Sequence, residues 1–137
     1  MIRTALLAAA LLIAAPAMAS DPTSLALTFD TGASTGAVMV ALYDEATYGG
    51  GQPVRAARID VAAGEHGVTF EGLPAGEYGV KAFHDLNGNG RMDTNPFGMP
   101  VEPYAFSNNA VGNMGPASWD RAKFSVDGAT SQTISIR

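Results

Sequence analysis

Glycine and proline punctuate this chain so often after residue 20 that helix is a poor solution for most of it. The whole chain holds 16 Gly and 8 Pro, and they recur every few residues. An interior Pro breaks a helix, and an interior Gly costs about 1 kcal/mol against Ala. Between these breaks lie short runs rich in Val, Ile, Thr, Phe and Tyr, with apolar residues at alternate positions. A period of two bounded by turn residues is the pattern of β-strands. The spacing predicts strands at Ser24–Phe29, Ala37–Tyr43, Val54–Val61, Gly67–Glu71, Tyr78–His84, Ala122–Val126 and Thr133–Ile136. About seven short strands of this kind predict an all-β fold, an antiparallel Greek-key sandwich of immunoglobulin-like or transthyretin-like type. One long connection, Asp85 to about Trp119, separates the fifth strand from the sixth. Connections of that length in a compact domain are usually functional or tied down.

The first residues are a different material. Arg3 is the only charge among them, Ala5–Ala15 is an unbroken apolar run, Pro16 breaks it, and Ala17-Met18-Ala19 follows. A positive start, a short apolar run and a small-x-small site make a secretory signal. The run is too short to span a bilayer core. Residues 1–19 are therefore expected to be cleaved after Ala19. Residues 20–137 would remain as a single domain, periplasmic or secreted, with no stable membrane anchor. The chain has no Cys, so an exported domain of this kind gets no disulfide and must rely on packing or a bound ion. The formal charge is −5, and loss of Arg3 makes it more negative. An acidic domain is a poor partner for nucleic acid or anionic lipid; the partner expected is a protein or a glycan.

Asp85-Leu-Asn87-Gly-Asn89-Gly90-Arg91-Met-Asp93 follows the fifth strand directly. Side-chain oxygens sit at alternate positions, Gly90 permits a sharp turn, Arg91 offers a carbonyl and Asp93 comes two residues later. Hard cations such as Ca²⁺ take oxygens at about 2.3–2.6 Å, and a loop of this spacing can wrap one. The pattern follows the start of an EF-hand loop but places Pro96 where the bidentate Glu belongs, and no helices flank it. Ca²⁺ is the cofactor expected, held by Asp85, Asn87, Asn89, Arg91 and Asp93. A further oxygen would come from Glu102, Asp120 or a backbone carbonyl. With two charged ligands, affinity would be weak, on the order of 10⁻⁴–10⁻³ M. An ordinary Asx-Gly turn network is the competing reading, because Asp, Asn and Gly also cluster where side chains cap local backbone.

Two resemblances add to this. Val68-Thr-Phe-Glu-Gly-Leu73-Pro74-Ala-Gly76-Glu-Tyr78-Gly-Val80-Lys-Ala82 resembles the corner of bacterial collagen-adhesin B-type and transthyretin-like sandwich domains. There the phrase marks architecture, with Leu73 as an end plug and Gly76 taking the unusual backbone. The longer phrases His84–Gly98, Glu102–Ala110 and Gly115–Phe124 resemble the bacterial exported family catalogued as domain of unknown function 2141. That resemblance runs from about Ser24 to Ile136. It implies the fold and export, and no activity.

Nothing else in the chain forms a catalytic constellation. There is no thiol, and no Ser stands in a Gly-x-Ser-x-Gly elbow. His84, in phase with Tyr78, Val80 and Ala82, reads as a packed structural histidine, and His66 as a solvated one. The expected function is a non-catalytic structural or interaction module with a calcium-stiffened loop. The alternative is a carbohydrate- or envelope-ligand-binding module that stacks its ligand on Tyr104 and Trp119. Phe97 and Phe106 belong to the same long connection.

Overall fold

The computed structural model describes residues 23–137; the predicted signal peptide at 1–19 lies outside them. Eight strands form two facing sheets: β1 (Ser24–Thr31), β2 (Ala37–Tyr43), β3 (Arg55–Asp60), β4 (Gly67–Glu71), β5 (Gly76–Asp85), β6 (Tyr104–Phe106), β7 (Phe124–Val126) and β8 (Ala129–Ile136). The order is β4-β1-β8 in one sheet and β3-β2-β5-β6 in the other, with β7 also paired to β5. Two short helices, α1 (Glu45–Tyr48) and α2 (Trp119–Ala122), lie in connections. The predicted sandwich stands. It differs in detail: β3 is shorter at both ends than the expected Val54–Val61, Ala122 belongs to α2 so that β7 starts at Phe124, and β8 starts at Ala129 instead of Thr133. β6 is a strand inside the long connection, and β1 pairs with β8 in parallel, Phe29 opposite Ile134.

Strand alternation builds the core. Leu25, Leu27 and Phe29 of β1 point inward, as do Val38, Val40 and Leu42 of β2, Val80 of β5 and Ile134 and Ile136 of β8; all are buried. Each such side chain contributes about 1.5–3 kcal/mol by leaving water. Leu73 is buried at the corner between β4 and β5. Tyr78 donates its hydroxyl to the Pro74 carbonyl at 2.6 Å, fixing that corner to the strand that follows. The left-handed residue of the turn is Gly72 (φ 71°), not the expected Gly76. Only a residue without Cβ takes that conformation freely.

The Phe106-Ser-Asn-Asn109 phrase is a staple between elements. Buried Ser107 accepts the Val80 amide at 2.9 Å and donates to the Ala122 carbonyl. Asn108 donates to the Arg121 and Lys123 carbonyls at 3.0 and 2.8 Å. Asn109 accepts the Ser135 amide of β8 at 2.8 Å. Asn108 and Asn109 both have positive φ, a conformation Asn tolerates better than most residues. The long connection is thus tied to both sheets in its second half.

Candidate functional site

The Asp85–Asp93 loop leaves the end of β5 and is organised by carboxylates. Asp85, only 2% exposed, accepts the Gly88 amide at 3.1 Å and the Gly90 amide at 2.7 Å. Gly88 and Gly90 both adopt left-handed backbone, which lets the chain curl around that carboxylate. Asn87 Oδ1 accepts the Asn89 amide and Asn89 Oδ1 accepts the Arg91 amide, at 3.3 and 3.0 Å. The Asn87 and Asn89 amide groups then donate to Asp93 at 2.5 and 2.7 Å. These two hydrogen bonds, that from Asn89 first, hold the Asp93 carboxyl below the usual carboxylate range.

Glu102 closes the loop from sixteen residues downstream. It is 6% exposed and accepts the Leu86 amide at 2.6 Å and the Asp93 amide at 3.0 Å. Of the two acidic residues considered for a further oxygen, Glu102 therefore lies against the loop. Asp120 sits on α2, facing Lys123 at 4.0 Å. Asp85, Asn87, Asn89, Arg91 and Asp93 share one loop, and its donors are oxygens only, the chemistry Ca²⁺ prefers. Among the described residues no three His, Cys, Asp or Glu side chains converge closely enough to hold an ion by themselves. An ion here would need amide or backbone oxygens. The Asn87 and Asn89 oxygens each accept one backbone amide and keep a second lone pair for it.

His84 is fully buried, with Nε2 2.6 Å from the Thr35 carbonyl. Its Nδ1 is buried without a hydrogen-bond partner among the described residues, and His66 is exposed.

The outer face of the five-stranded sheet holds a second feature. Cross-strand register places Ala56, Ala41, Lys81 and Phe106 in one row, and Arg58, Met39, Phe83 and Tyr104 in the next, with Arg58 on the edge strand. One end of this face is covered. Tyr48, Phe106, Ala117 and Ala122 form a small cluster there, with Tyr43, Ala110 and Trp119 packed against it. The Asp44–Thr47 capping box starts α1 and delivers Tyr48 to the sheet, where its hydroxyl donates to the Ala117 carbonyl at 2.6 Å. Gly79 makes room for the rings: a Cβ there would lie 3.0 Å from Tyr48 and 3.1 Å from Trp119.

The other end of the face is open. It forms a groove of about 970 Å³, floored by Met39, Ala41 and Phe83 and walled by Met92, Met99 and Met114 from two loops. Tyr104 is half exposed on this groove, its ring 6.0 Å from that of Phe106. Trp119 packs against Tyr48, ring centroids 5.5 Å apart and planes tilted by 57°, and does not line the groove. The structure does not bring Tyr104 and Trp119 together as one platform. Phe97 is exposed on the loop beyond Asp93.

The groove had a sequence signal that alternation alone misses. Ala37–Tyr43 is apolar in both phases: Val38, Val40 and Leu42 in one, Met39, Ala41 and Tyr43 in the other. A strand apolar on both sides is a strand covered, or coverable, on both sides.

A family model described as an uncharacterized protein conserved in bacteria (DUF2141) matches residues 30–135, and the chain belongs to that family. No curated protein and no solved structure matches it.

Proposed function

We propose that this DUF2141 protein is an exported, non-catalytic binding module whose ligand site is the open half of the outer sheet face. The groove carries the reading. An antiparallel sheet with one solvated face ordinarily shows polar residues there. Here the floor is Met39, Ala41 and Phe83 and the walls hold three methionines. A volume of about 970 Å³ lies within the range of small-molecule sites, which are mostly apolar with few polar groups. Methionine walls suit ligands of variable shape, because the thioether chain adapts without a fixed rotamer. Residues 1–19 supply the export signal of this reading, to the periplasm or the medium.

Titration of Ser20–Arg137 with the neutral dye N-phenylnaphthylamine tests it. Saturable binding, weakened about tenfold by Phe83→Ser through lost apolar contact, is expected. Absence of saturable binding, or binding indifferent to Phe83→Ser, refutes the site.

A second reading concerns the wall. Met92, Met99 and Pro100 lie on the chain between Asp85 and Glu102, so whatever stiffens the Asp85–Asp93 loop stiffens one side of the groove. Ca²⁺ is proposed for that role, supported by the all-oxygen loop and the Glu102 carboxylate behind it. A rise in thermal midpoint with calcium over EGTA, absent in Asp85→Ala, is the expected result. No shift at about 10 mM Ca²⁺, well above extracellular-module affinities, leaves the loop a turn network.

A further inference from the structure

The charge in the groove is of the wrong sign for this protein. The chain carries 13 acidic and 8 basic residues, yet among the described residues Lys81 is the one charged side chain lining the groove and no carboxylate lines it; Arg58, opposite Met39, adds a second cation at the edge of the same face. Lys81 stands between Ala41 and Phe106 in the floor. Its Nζ donates to the Tyr48 carbonyl at 2.6 Å and lies 4.9 Å from the Tyr43 ring centroid and 4.3 Å from that of Tyr48. The rings and the carbonyl fix the ammonium at the boundary between the covered and open halves. An ammonium has three donors, and the protein engages one. Partial burial also lowers the Lys81 pKa.

From this juxtaposition we propose that the groove takes an anionic amphiphile, a single apolar chain lying over Met39 and Phe83 with its acidic head at Lys81. The proposal rests on the groove being a ligand site and adds the chemistry of the ligand. A carboxylate or phosphate head would use the remaining ammonium donors, and charge-assisted bonds of this kind are about twice as strong as neutral ones. A cationic head would be repelled by Lys81, and a neutral head would accept a hydrogen bond from the ammonium without the charge–charge attraction an anion adds. The same recognition would serve a free fatty acid or the acyl and phosphate portions of a lipid.

Displacement of bound N-phenylnaphthylamine by laurate, dodecanol and dodecyltrimethylammonium, each below its micelle concentration, tests this on the wild-type Ser20–Arg137 chain. Laurate is expected to displace the dye at about tenfold lower concentration than dodecanol, and the cation least well, by the strength of one charge-assisted contact. Lys81→Met should remove the laurate advantage, weakening laurate far more than dodecanol, while Lys81→Arg should retain it. Monododecyl phosphate displacing better than laurate would assign the head to a phosphate source; the reverse would assign a carboxylate. Equal displacement by all three compounds, or a laurate advantage that survives Lys81→Met, overturns the head-group assignment with the groove intact. Dye binding with no displacement by any of them overturns the single-chain ligand. A dimer disrupted by Phe83→Ser would make a second copy the occupant and overturn the proposal as well. Failure of the dye itself to bind removes the groove reading instead.

Discussion

Glu102→Gln is the substitution that most sharply tests how the long connection is held. The wild-type carboxylate offers only acceptors, one oxygen to the Leu86 amide and the other to the Asp93 amide. Gln is nearly the same shape but replaces one acceptor with an NH₂ group. That group would face a backbone N–H, donor against donor, in a position where the wild-type side chain is 6% exposed. A hydrogen bond to a charged group contributes about 1.5–3 kcal/mol, and a buried donor left unpaired costs about 1–3 kcal/mol. One bond lost and the other weakened from charged to neutral gives an expected destabilisation of about 2–3 kcal/mol. For a domain of this size that lowers the thermal midpoint by about 8–12 °C. Melting followed by circular dichroism measures the shift. Amide hydrogen exchange at Leu86 and Asp93 locates it, and both amides should exchange faster than in the wild type. Glu102→Asp shortens the arm and should lose a comparable amount, which separates reach from charge. A Glu102→Gln variant melting within about 2 °C of the wild type, with both amides still protected, would refute the carboxylate clamp.

Gly79→Ala should cost about 1–3 kcal/mol by overpacking, because its Cβ would press on the Tyr48 and Trp119 rings. A red-shifted emission from Trp119, the single tryptophan, is the expected sign that the cluster has opened, and unchanged emission and midpoint would count against the close packing. The Asp93 carboxyl is held below its ordinary value of 3.8 by the Asn89 and Asn87 amides. The stability it contributes is therefore fully present above that value and is lost as pH falls through the lower folded-state pKa. Exchange in the Asn87–Asp93 segment should accelerate only below about pH 4, and Asp93→Asn should flatten that acid limb; an unchanged limb would show that another group sets it.

The fold was legible because strand signals are local. Ala37–Tyr43 and Gly67–Glu71 are strands with the predicted ends, since turn residues mark both sides and side chains alternate within. The Asp85–Asp93 loop was also legible as a unit, because its hydrogen bonds join residues a few positions apart. Glu102 was visible only as one of several candidates. Its reach back across sixteen residues depends on how the chain returns to pair β6 with β5.

The candidate binding face was not legible, for a physical reason. Sequence by itself determined that β2 is apolar in both phases, but a strand's second face can be core, interface or groove with the same residues. Tertiary structure decided it. The α1 capping box and the Ala110–Ala122 segment lay Tyr48 and Trp119 over the Gly79 end of the sheet. Those elements stop short of Met39 and Phe83, leaving an apolar floor with Lys81 at its margin. The periodicity of the strands fixes which side chains share a face, and only the packing of distant segments fixes whether that face is covered.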